Sequence, residues 1–141
     1  MAESVAEFML RRLAEDWGVQ RIYGYPGDGI NGLMSAFQEL AGTPEFVQVR
    51  HETIASYAAC AHSKFTGEVG VCVATSGPGA VQLLNGLYDA KLDHRPVVAI
   101  VGQQKTVSSG RIGSRRWIST RCWATCRSSC RRAWRRSRRG T

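Results

Sequence analysis

The run Val69-Gly-Val-Cys-Val-Ala74 is apolar almost without interruption, and it stops abruptly at Thr75-Ser-Gly-Pro-Gly79. A strand with one wet face alternates polar and apolar residues. A strand that does not alternate is covered on both faces, the usual state of a strand inside a parallel sheet. Pro96-Val-Val-Ala-Ile-Val101 has the same character, and shorter strand-like runs occur at Arg21-Ile-Tyr-Gly24 and Phe46-Val-Gln-Val49.

Helical patterns fill the intervals. Val5, Phe8, Met9 and Leu13 recur at helical spacing between Ser4 and Trp17, and Gly18 stands where such a helix stops. Leu33, Met34, Phe37 and Leu40 mark a second helix. His51 to Lys64 reads as a third, rich in small residues, with Ile54, Tyr57, Ala58 and Ala61 available for close packing. Gly77 to Ala90 reads as a fourth, with Val81, Leu84, Leu87 and Tyr88 inward and Ser76 as its cap. Strands alternating with helices imply right-handed crossovers and an α/β fold, a parallel sheet flanked by helices on both faces.

The chain has 141 residues, 43% of them hydrophobic, which is enough for one domain with a core and too few for two. Its net charge of +8 is unevenly placed. Residues 1–104 hold all eleven acids against seven Lys and Arg, whereas residues 105–141 hold eleven Arg, Lys105, three Trp and no acid. Two compositions imply two segments, a folded domain at 1–104 and a basic tail at 105–141 that lacks the apolar pattern of a folded unit and is expected to be disordered.

Cys60 and Cys72 lie in apolar runs, and Cys122, Cys126 and Cys130 in the tail, an arrangement that suggests no disulfide framework. The N-terminus lacks a secretory pattern, and no apolar stretch approaches the roughly 20 residues of a membrane span. The expectation is a cytoplasmic protein with reduced thiols and no membrane association.

Two places could carry chemistry. The turn Thr75-Ser-Gly-Pro-Gly79 joins a buried strand to a helix at the carboxyl edge of the sheet, where ligands of open parallel sheets bind. It can equally be a plain strand-to-helix turn. Glu52, in Arg50-His-Glu-Thr53, follows a strand and opens a helix, so it shares that edge. A carboxyl among small and apolar residues has its ionised form disfavoured, which suits proton sharing near neutral pH. The alternative is a first-turn acid stabilised by the helix dipole.

Six motifs in order carry a resemblance: Gly24-Tyr-Pro-Gly27, Arg50-His-Glu52, Ala59-Cys-Ala-His-Ser-Lys-Phe-Thr-Gly67, Ala74-Thr-Ser-Gly-Pro-Gly79, Asn85-Gly-Leu-Tyr-Asp89 and Pro96-Val-Val-Ala-Ile-Val-Gly102. Over about residues 3–104 the chain resembles the pyrimidine-binding domain of thiamine diphosphate enzymes of the pyruvate oxidase and acetolactate synthase type. The resemblance implies that Glu52 is catalytic. It would hydrogen-bond the aminopyrimidine ring and favour the imino tautomer that activates the cofactor. Tyr25, Pro26, Gly27, Thr75 and Pro78 would line the pyrimidine pocket with it. Gln82 takes a position where relatives more often carry Asn or His.

The same resemblance implies a partial site. Complete enzymes of this type bind the cofactor between the pyrimidine domain of one subunit and the diphosphate domain of another. A homo-oligomer acting on a 2-oxo acid such as pyruvate is therefore expected of the complete enzyme, with magnesium, and FAD where it is used, held by other domains. The isolated chain would be inactive. Gly27-Asp28-Gly29 imitates the family's magnesium motif but lacks the downstream Asn, and His51, His62 and His94 have no metal-ligand spacing, so no metal site is expected.

The tail admits two readings. Its Arg and Trp content suits nonspecific nucleic-acid binding, and the spacing of Cys122, Cys126 and Cys130 aligns three thiols on a helix. Read one frame over, however, Ser108 to Ser137 permits LGAHRQQEVDLNTLLGDVPEFVQAGMAPE, close to the LGAHYQQEVDL-like segment of the resembled family at that point. The expectation is a frameshift near Ser108. The competing classes are a small nucleic-acid-binding protein using the tail and a cofactor-free protein that associates with a full-length paralogue.

Overall fold

A computed structural model describes residues 3–103. In chain order the elements are α1 (Val5–Trp17), β1 (Arg21–Gly24), a 3-10 turn (Asp28–Ile30), α2 (Asn31–Glu39), β2 (Glu45–Gln48), α3 (Glu52–Thr66), β3 (Gly70–Ala74), α4 (Pro78–Gln82), α5 (Leu84–Leu92) and β4 (Val97–Val101). The four strands form one parallel sheet in the order β2-β1-β3-β4. The α/β architecture read from the strand and helix patterns is present. The expected tail at 105–141 lies outside the described residues.

Helix ends follow local chemistry. Ser4 caps α1 in a reciprocal box with Glu7, and Gly18 ends it at φ 68°, a left-handed conformation that favours glycine. His51 caps α3 through its Nδ1, which accepts from Thr53 N–H at 3.2 Å.

The sheet separates two cores. On one face Leu10 and Leu13 of α1 and Leu33, Ala36 and Phe37 of α2 pack on Ile22, Val71 and Val73. On the other, Ala55 and Ala59 of α3 and Leu83 and Leu87 pack on Cys72 and Ala74. Successive β3 residues thus feed opposite cores, which is why all five are buried and the run does not alternate.

Three helix expectations need correction. The single helix over Gly77 to Ala90 is two, because Thr53 Oγ1 lies 3.1 Å from the Gln82 carbonyl oxygen, the acceptor that an unbroken helix would pair with Gly86 N–H. A side chain inserted there interrupts the ladder. Ser76 is not the cap: Gly77 holds that position at φ 74°, which leaves Ser76 one residue too early to reach the first turn. Tyr88 was expected inward but is 39% exposed, since the buried stripe runs through Ala80, Leu83, Gly86, Leu87 and Ala90 at helical spacing and leaves Tyr88 off it.

Candidate functional site

β1 feeds α2, which returns to β2 on one side of the sheet, while β3 feeds α4 and α5, which return to β4 on the other. The carboxyl ends of β1 and β3 therefore flank the point where the winding reverses, the usual ligand crevice of open α/β sheets. The loop Tyr25 to Gly29 leaves β1 there, and Thr75 to Gly77 leaves β3 beside it. Glu52, the first residue of α3, approaches from β2.

The two loops interlock through Thr75. Gly29 N–H donates to Thr75 Oγ1 at 3.1 Å, and that hydroxyl donates to Asp28 Oδ1 at 3.4 Å. A Cβ on Gly27 would stand 2.7 Å from Thr75 Cβ, and one on Gly29 2.8 Å from Thr75 Oγ1, so both glycines are set by close approach. Asp28 is thereby turned toward Thr75. After β4 the chain passes over the same corner, with Gly102 N–H donating to the Ala74 carbonyl at 3.0 Å and a Gly102 Cβ falling 2.5 Å from the Gly29 oxygen.

Glu52 faces the second of these loops. A Cβ on Gly79 would lie 2.9 Å from Glu52 Oε1 and 2.9 Å from Thr75 Cγ2, which puts carboxylate, glycine and threonine in one group. The Glu52 side chain is half-buried, and among the described residues its carboxylate takes no hydrogen bond or ion pair. Gln82 lies one turn further on, with its Oε1 3.1 Å from Thr53 Oγ1. The single hydroxyl proton of Thr53 serves both Gln82 oxygens, so α3 is clasped to the helix break right beside Glu52.

Of the residues singled out from sequence, Gly27, Glu52 and Thr75 are brought together. Tyr25, 40% exposed, and the half-buried Pro26 stand on the β1 loop, and Pro78 is exposed beside Gly79. Gln82 joins the group through Thr53. Sequence reading passed over Gly79 and Thr53. Gly79 was visible as the last glycine of its motif, but nothing local announced the Thr53 contact, which spans 29 positions.

The other titratable groups serve packing. Cys72 is fully buried, and desolvation pushes its thiol up to about 12. Burial and the hydrogen bond from its Sγ to Asp89 Oδ2 at 3.2 Å push Cys60 up to about 11. Lys64 bridges Asp89 and Asp93 at 2.8 and 2.6 Å, and its hydrogen bond holds the Asp89 carboxyl below the usual range. His62 stands 3.5 Å from Tyr23 Oη and 3.3 Å from Glu68 Oε2, near the end of α3 remote from Glu52. Among the described residues no three His, Cys, Asp or Glu side chains gather as a metal site, and no helix is long and apolar enough to cross a membrane.

Fold and site together define a doubly wound α/β ligand domain with a carboxylate poised at its switch point. The family model "Thiamine pyrophosphate enzyme, N-terminal TPP binding domain" matches residues 3–122, and the chain belongs to this family as its pyrimidine-binding domain. The match runs past residue 104, where the composition changes. The chain is 50% identical over 113 residues to a putative thiamine pyrophosphate-containing protein, YdaP, of Bacillus subtilis, covering 80% of this chain and 19% of that protein. It is 47% identical over 92 residues to pyruvate oxidase of Lactiplantibacillus plantarum, 65% of this chain and 15% of that one. It is 47% identical over 97 residues to the large subunit of acetolactate synthase isozyme 2 of Escherichia coli, 69% and 17% respectively. The chain thus spans less than a fifth of the length of these three relatives.

Proposed function

We propose that residues 1–104 hold the pyrimidine half of thiamine diphosphate, with Glu52 as the residue that works on it. One observation carries this reading: a half-buried carboxylate with no partner among the described residues, set against a glycine that leaves room beside it, at the switch point of a parallel sheet. Buried carboxylates are ordinarily paired or hydrogen-bonded, so an unmatched one at a ligand edge suits a donor and acceptor that arrives with a ligand. An aminopyrimidine has that complementary pair.

In this reading Glu52 holds a proton against the ring nitrogen, which is general acid–base work at a fixed geometry. Tyr25, Pro26, Gly27, Thr75 and Pro78 line the pocket, and the Thr53 to Gln82 clasp keeps the start of α3 in place. Thiamine diphosphate, when bound, supplies the electron sink for decarboxylating a 2-oxo acid such as pyruvate. Magnesium is assigned to a domain outside this one, because Asp28 is engaged by Thr75 and among the described residues no three His, Cys, Asp or Glu side chains gather as a metal site, and any FAD is likewise assigned elsewhere. Ile54 and Tyr57, 50% and 47% exposed within the first two turns of α3, give the face on which an opposing domain of a homo-oligomer would close the site. Without it, the chain binds weakly and does not turn over.

The test is an NMR titration of the 141-residue chain with a 4-aminopyrimidine. Shifts should gather at Glu52, Thr75 and Gly79 and vanish in Glu52→Gln. Shifts that persist in Glu52→Gln would sink the assignment of Glu52, and pyruvate decarboxylation by the purified chain would overturn its inactivity.

A further inference from the structure

We draw no further inference here: the strongest candidate, the exposed apolar surface of the packed α3 and α5 helices with Ile54, Tyr57, Phe65, Tyr88 and Leu92, adjoins the site already described, and nothing in the structure shows what covers it.

Discussion

A methyl group on Gly79 would stand 2.9 Å from Glu52 Oε1, so the smallest possible side chain at position 79 sets the space around the carboxylate. Gly79→Ala should push Glu52 and Thr75 apart. Overpacking of this kind costs about 1–3 kcal/mol, seen as a lower urea midpoint. The shifts caused by a 4-aminopyrimidine should be lost in the same variant. A variant that binds the probe as tightly as the parent would show that the room beside Gly79 is not the ligand's.

A Cβ on Gly70 would run into the Ala59 carbonyl, and one on Gly86 would come within 2.5 Å of the Ser56 carbonyl carbon. Both obstacles are helix backbone, which cannot swing aside as a side chain does. Gly70→Ala is therefore expected to lose more than about 3 kcal/mol or fail to fold. Gly32, in α2, has nothing within 4 Å of its missing Cβ. Gly32→Ala should gain up to about 1 kcal/mol from helix propensity, and thermal melts of the pair separate the two causes.

The Thr53 hydroxyl serves Gln82 twice, through its backbone oxygen and its side chain. Thr53→Val keeps the shape and removes the donor, and the expected loss is about 0.5–1.5 kcal/mol. Gln82→Ala should cost less, because the backbone contact survives. In a double-mutant cycle the two changes should couple by at least about 0.5 kcal/mol, and strict additivity would mean that the clasp contributes nothing.

The thiols predict an alkaline limit. Cys60 and Cys72 are raised to about 11 and about 12 in the folded chain, against 9.0 for a free thiol. A group that holds its proton more tightly when folded leaves stability intact below the unfolded pKa and erodes it as pH climbs toward the folded one. Stability should therefore decline from about pH 9 toward pH 11–12, by at most about 1.4 kcal/mol per pH unit for each thiol. Cys72→Ala should flatten that slope relative to the parent, measured by urea midpoints at several pH values. Unchanged slopes would put the alkaline loss on other groups.

The sheet was legible because Val71, Cys72, Val73 and Ala74 must satisfy two cores at once, and that demand writes itself into consecutive positions. Glu52 and the turn that begins at Thr75 could be placed at one edge because the carboxyl edge of a parallel sheet is set by topology, whereas Gly27 was named only through the family resemblance. The helix break at Leu83 was not, since it comes from a hydroxyl 30 residues upstream in sequence, and local periodicity carries no trace of such a partner. Tyr88 was misplaced because the apolar residues of this stretch offer two faces, and the one that is buried runs through Ala80, Leu83, Leu87 and Ala90. The exposure of Ile54, Tyr57 and Phe65 is likewise invisible to pattern reading, because an apolar stripe looks the same whether it meets its own core or another surface.

The segment from about Ser108 gives the last prediction, which concerns the gene rather than the fold. Ile112-Gly-Ser-Arg-Arg-Trp-Ile-Ser119 is compatible, one frame over, with RQQEVDL, and the family-model match extends to residue 122, beyond the described residues. Third bases can be chosen freely in such a reconstruction, but the first two are mostly forced, and an unrelated arginine-rich sequence would rarely yield a family-like segment. The coding DNA from the Gln103 codon onward should therefore continue, in the shifted frame, into an acetolactate-synthase-like central domain. In that case the cluster of eleven Arg is a by-product of codon phase, and salt-dependent binding of nucleic acid by the chain has no bearing on its role. If the shifted frame closes early, the basic segment is a genuine part of the protein. Loss of RNA or DNA binding on removing residues 105–141 would then place the chain among nucleic-acid-binding proteins.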